Sequence, residues 1–131
     1  MGKLLYNVTV KVEHQEVESW KSYMINSHIL DVMNTGCFVD FKLTQLMYLD
    51  DQQGVTFAVQ YIAPDQDAFE RYHKEFAAVL QKSHKEKYGE KAVAFRTVFE
   101  ILHESRYTLI RIWSISIIQK GTKQSEEQPA F

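Results

Sequence analysis

The stretch Leu4-Leu5-Tyr6-Asn7-Val8-Thr9-Val10-Lys11-Val12, followed by Glu13-His14-Gln15-Glu16-Val17-Glu18-Ser19-Trp20, decides how the rest of the chain is read. In its first half Leu4, Tyr6, Val8, Val10 and Val12 alternate with Leu5, Asn7, Thr9 and Lys11, the period of a half-buried strand. From about Gln15 the period lengthens. Val17, Trp20, Met24, Ile25, Ile29, Val32 and Met33 gather on one side of a helix, with Glu16, Glu18 and Lys21 on the other. Asn34-Thr35-Gly36 stops that helix, because glycine takes the left-handed conformation of a helix end at little cost.

The same switch of period recurs downstream. Cys37 to Leu49 alternates, setting Cys37, Val39, Phe41 and Leu43 against Asp40, Lys42 and Thr44. Asp50-Asp51-Gln52-Gln53-Gly54 reads as a hairpin connection in which Gly54 supplies a positive φ, and Val55 to Ala63 is the partner strand. Pro64-Asp65-Gln66-Asp67 opens a second helix, with Asp67 and Glu70 at capping-box spacing and Phe69, Tyr72, Phe76, Val79 and Leu80 as its apolar stripe. Lys82, Lys85 and Lys87 suit the negative end of the helix dipole before Tyr88-Gly89 ends it. Ala92 to Leu102 alternates once more, with Val93, Phe95, Phe99 and Ile101 opposed by Arg96 and Glu100. Tyr107 to Ile118 reads as a further, Ile-rich strand and Gln119 to Phe131 as a polar tail.

Strand, helix, strand, strand, helix, strand is the order of an α+β, ferredoxin-like βαββαβ fold, with two helices on one face of a four-stranded antiparallel sheet. The helix-side face is expected to carry Val8, Val10, Val39, Phe41, Phe57, Val59, Phe95 and Phe99. The other face then presents Asn7, Thr9, Lys11, Asp40, Lys42, Thr44, Gln60, Arg96 and Glu100. Residues 1–103 form the domain, 104–118 an added C-terminal strand and 119–131 a tail. Pairing with a second copy would cover the Ile-rich segment, which would otherwise be an aggregation hazard.

The 131 residues fit one domain, and 45% hydrophobic with 24% charged residues fits a packed core. A net charge of −2 speaks against a phosphate-backbone binder. The base-stacking platform of RNA-recognition modules is also missing, since Phe57 and Tyr61 fall on the helix-side face. Nucleic acid is therefore not an expected partner. No apolar run near the start suits a signal peptide, and Leu109 to Ile118 falls far short of the ~20 residues of a membrane span, so a cytoplasmic location is expected. The single cysteine, Cys37, fits a reducing compartment.

Leu4-Leu5-Tyr6-Asn7-Val8-Thr9-Val10, Trp20, Thr35-Gly36 and Phe95-Arg96-Thr97-Val98-Phe99 together resemble a bacterial family of roughly hundred-residue proteins. That family is known only as a domain of unknown function and is grouped with the ferredoxin-like dimeric α+β barrels. The resemblance covers about Met1 to His103. It implies the fold and a homodimer, and supplies no activity.

Dimeric α+β barrels include monooxygenases acting on haem or on polycyclic or quinol substrates, which use an Asn of the first strand with an aromatic and a His of the second helix. Asn7, Tyr72 and His84 match that outline here. Haem degraders carry Trp where Tyr72 stands, and the wider interval to His84 turns the imidazole away from the Tyr72 face of an uninterrupted helix. The other reading of His84 is a solvated residue in a Lys-rich helix end.

A second candidate group is the mixed-charge sheet face, where Lys42 or Arg96, beside Asp40 and Glu100, could hold a small anionic or aromatic ligand between two sheets. Cross-strand ion pairing explains the same residues without a ligand. Glu70 and His73 share a helical face as in di-iron bundles, but further carboxylates are lacking, so no metal is expected. His28 with Asp31 is an acid–base pair by spacing, or a partly buried histidine at the edge of the Trp20 stripe. The reading that emerges is a small homodimeric ligand-binding or regulatory module without a cofactor, with a monooxygenase as the alternative.

Overall fold

The structure is a computed structural model describing residues 2–49 and 51–105. Its strands are β1 (Leu4–Val12), β2 (Asp40–Gln45), β3 (Val55–Ala63) and β4 (Ala92–Glu100). They form one antiparallel sheet in the order β2-β3-β1-β4, so β1 and β3 are central and β2 and β4 are the edges. This is the expected α+β, ferredoxin-like arrangement. The first helical rod is α1 (Val17–Tyr23), a π turn (Met24–His28) and α2 (Ile29–Met33), with right-handed helical backbone at each junction. The second is α3 (Gln66–Glu75) and α4 (Ala77–Tyr88). The expected strand over 107–118 and the tail over 119–131 lie outside the described residues, as does Asp50 in the hairpin connection.

Directly opposed residues of an antiparallel pair share a face, so the register assigns the layers. Tyr6, Val8, Val10 and Val12 lie opposite Tyr61, Val59, Phe57 and Val55, and this set points to the helices. Val10, Val12, Val59 and Tyr61 are fully enclosed there, and the Trp20 ring packs 4.8 Å from Phe57. Burying each such side chain contributes roughly 1.5–3 kcal/mol. On β2, Phe41 and Leu43 face Tyr61 and Val59, leaving Asp40, Lys42 and Thr44 on the open face as expected.

Strand β4 departs from the sequence reading. Arg96 lies opposite Val8, Ala94 opposite Val10 and Glu100 opposite Leu4, which puts Arg96 and Glu100 on the helix side. Phe95 and Phe99 face the open side and are 69% and 54% exposed. The physical reason is room. The helix-side positions at the inner end of β4 are Ala92 and Ala94, small residues that pack with the core opposite Val12 and Val10, where phenyl rings would need far more space.

Both helical rods are interrupted where an ideal period was expected. Trp20 and Met24 are four apart, but the next buried residue, Ile29, comes five later, because the π turn inserts one residue and leaves Ile25 57% exposed. In the second rod, Phe76 takes φ −125°, which resets the stripe. Val79 turns outward, while Ala77, His84 and Tyr88 turn inward.

Two local devices also differ. The cap of α3 is Asp65, whose carboxylate accepts from the Ala68 N–H at 2.8 Å, rather than Asp67. Gly36 and Gly89 take the positive φ of helix ends, at 74° and 56°. Gly54 does not; it is needed because a Cβ there would collide with the Val12 carbonyl.

Candidate functional site

The two interruptions bring polar groups of separate elements to one place. A cavity of about 20 Å³, room for about one water, lies between the sheet and the helices. Tyr6 of β1, Arg96 of β4, His28 of the π turn, Tyr72 of α3, and Gln81 and His84 of α4 line it. A cleft of about 910 Å³ between α4 and β4 adjoins it and shares Gln81, His84, Ala94 and Arg96. Lys82 and Lys85 are also on the cleft wall, with Glu90 as its only carboxylate among the described residues.

His84 is 6% exposed, not solvated, and its Nε2 accepts a 2.9 Å hydrogen bond from the Trp20 indole N–H. Indole can only donate, so His84 Nε2 is unprotonated and the neutral ring carries its proton on Nδ1. Burial, then the neighbouring His28 and Arg96, lower the His84 pKa to about 4. His28 stands edge-on to it, ring centres 5.6 Å apart. Burial lowers His28 as well, with Asp31 raising it and Arg96 adding to the lowering. Burial raises Tyr6, partly offset by Arg96 and Gln81 beside its hydroxyl, and burial also raises Tyr72. Neutral imidazoles and phenols beside a permanent guanidinium cation make a site that favours an anion.

Of the residues singled out in the sequence, His28, Tyr72, His84 and Arg96 converge on this cavity. The break at Phe76 is what returns His84 to the Tyr72 side, since twelve residues of ideal helix would leave it about 120° away. Asn7 is separated from them by the sheet. Its side-chain amide donates to Thr9 Oγ1 at 3.0 Å and Thr97 Oγ1 at 3.3 Å on the open face. Lys42 and Asp40 are exposed on that same face, and Lys11 pairs with Asp51 rather than across strands. Glu100 stands at the exposed far end of β4. Sequence reasoning did not assign Tyr6, Gln81 or Trp20 to a site. It singled out His28, for which the Asp31 spacing was the available signal.

The arrangement does not fit haem iron on His84, because Trp20 occupies the ring's Nε2 and the ring is enclosed by the core. Among the described residues no group of three or more His, Cys, Asp or Glu could hold a metal ion. Glu70 accepts from Gln66 at 2.9 Å and His73 stacks on Phe69, so that pair is engaged locally. No helix among the described residues is long and apolar enough to cross a membrane.

Solved structures of similar shape share the fold at low identity. An ethyl tert-butyl ether D (EthD) family protein of Bacillus halodurans superposes with a TM-score of 0.59 at 9% identity, over 76% of this chain and 99% of that one. A dimeric ferredoxin-like protein from an uncultured marine organism gives 0.57 at 11% identity, covering 80% and 100%. SnoaB, a cofactor-independent oxygenase from Streptomyces nogalater, gives 0.54 at 16% identity in a variant form, covering 83% and 98%. No curated protein matches the chain significantly. Residues 3–102 match the family model described as Domain of unknown function (DUF4286), and the chain belongs to that family.

Proposed function

We propose that the protein is a small homodimeric binding module whose cleft between α4 and β4 takes a small organic anion. The observation that carries this reading is Arg96, directed to the helix side of an edge strand and lining both cavity and cleft. A carboxylate there would meet the guanidinium, with the Gln81 amide and, from the adjoining cavity, the Tyr6 hydroxyl as further hydrogen-bond partners. The dimer would form through the open sheet face, where Val93, Phe95 and Phe99 are exposed. The dimeric ferredoxin-like relative in shape supports that assembly.

The test is calorimetry with benzoate and 1-naphthoate as probes, at low salt and again with Arg96→Gln. Binding that Arg96→Gln weakens about tenfold or more supports the reading, given that a bond to a charged group contributes roughly 1.5–3 kcal/mol. Affinity unchanged by Arg96→Gln, or no binding of either probe, overturns it.

A quinol monooxygenase is the second reading, favoured by a neutral His28 imidazole in the same cavity as a fixed cation. A phenolic proton could pass to His28 while Arg96 holds the phenolate. Oxygen consumption with 1,4-naphthohydroquinone that His28→Gln abolishes would establish it. No consumption above the no-enzyme rate would remove it.

A further inference from the structure

We propose that the site takes its anion together with a proton: a carboxylate arriving beside Arg96 is bound as His28 picks up one proton from solvent. The inference rests on the anion-binding reading above and adds to it which side chain carries the compensating charge.

The two histidines of the cavity are not equivalent, and their hydrogen-bond partners say why. An imidazolium carries hydrogen on both ring nitrogens. Protonating His84 would set its Nε2–H against the Trp20 N–H, two donors head to head in a buried place at a present separation of 2.9 Å. His84 is therefore held neutral. The Nδ1 of His28 lies 3.4 Å from the Tyr23 hydroxyl, a group that donates or accepts by rotating its hydrogen. His28 can thus exist in either protonation state without losing a partner.

Burial is the first cause holding the free site's His28 neutral, and a ligand would act on the charges around it. Asp31, on the helix that continues from the π turn, favours the imidazolium, and Arg96 from β4 opposes it. From α4 come neutral His84 and the Lys87 ammonium, which sits over the Tyr23 ring 5.3 Å from its centre. Tyr6 from β1 and Tyr72 from α3 are held as neutral phenols by burial. The negative charge of an anion beside Arg96 offsets that opposing cation, while the Asp31 carboxylate remains. The π turn puts His28 in this position, since Ile29 resumes the buried stripe directly after it.

The experiment is calorimetric titration of the full chain with benzoate near pH 6.5, in two buffers of different ionisation enthalpy, with proton NMR of the histidine rings. The expected result is uptake of a substantial fraction of one proton per benzoate. Affinity should fall with rising pH by up to about tenfold per unit. The His28 resonances should titrate at higher pH in saturating benzoate than in its absence, with His84 unmoved. His28→Gln should abolish the uptake. Benzoate binding without proton exchange, or uptake that survives His28→Gln, overturns this inference and leaves the anion site standing. A shifted titration at His84 instead of His28 also overturns it. Absence of benzoate binding overturns both. Should His28→Gln fail to fold, the ring titrations of the unaltered protein still decide between His28 and His84.

Discussion

Acid should destabilise this protein through His84, and the size of the effect follows from the structure. The imidazole is buried at 6% exposure with Trp20 donating to its Nε2, and its pKa drops to about 4 from the ordinary 6.5. Because the folded state resists the proton, the unfolded chain binds it first as pH falls. The contribution of His84 is thus fully present above about pH 6.5 and is lost progressively toward pH 4. Each unit of difference is worth about 1.4 kcal/mol, so acidification from pH 7.5 to 5 should cost about 2 kcal/mol through this residue. The measurement is urea denaturation of the unaltered protein and of His84→Gln at several pH values. Glutamine keeps an acceptor for Trp20 but has nothing to titrate, so the stability gap between the two proteins should narrow by about 2 kcal/mol over that range. His28 shifts in the same direction and acts equally in both proteins. Stability curves that run parallel from pH 7.5 to 5 would refute the reasoning, because His84 would then not be held neutral by the fold.

Other consequences are local. Asp65→Ala removes the acceptor of the Ala68 N–H and should lower stability by about 1 kcal/mol, read as a shift in the urea midpoint without a change in slope. Gly54→Ala places a methyl group against the Val12 carbonyl and should cost about 1–3 kcal/mol by the same assay. On the open face, Phe95→Glu would introduce a charge where self-association is proposed. Light scattering at micromolar concentration should show the mass fall to that of one chain, and an unchanged dimer would place the interface elsewhere.

The order of elements and most of the core were legible in the sequence because short-range patterning determines them. Tyr6, Val10, Val12, Phe57 and Val59 fall on one side of the alternation, and all of them are buried. Strand β4 was not legible, because apolar residues stand at both parities: Ala92, Ala94 and Val98 on one, Val93, Phe95 and Phe99 on the other. Hydrophobicity alone favoured the bulkier set, whereas the enclosed places opposite Val10 and Val12 required the smaller one. The helix interruptions had no local signal either. Neither Met24–His28 nor Phe76 contains a proline or glycine, so the ideal period was the natural expectation and Ile25 and Val79 were placed inward.

The candidate site shows the same division more sharply. Sequence spacing picked out Tyr72, His84 and Arg96 separately, with Arg96 on the wrong side of the sheet and His84 turned away from Tyr72. Their meeting depends on a strand register, a π turn and a break at Phe76, each decided by packing between elements distant in the chain. By itself the sequence determined the ferredoxin-like order of elements and the family resemblance, since these rest on periodicity and residue type. Only the tertiary structure decided which side Arg96 faces and that an indole holds His84 neutral. Those outcomes depend on how β4 registers against β1 and how α1 meets α4, long-range arrangements that no local pattern encodes.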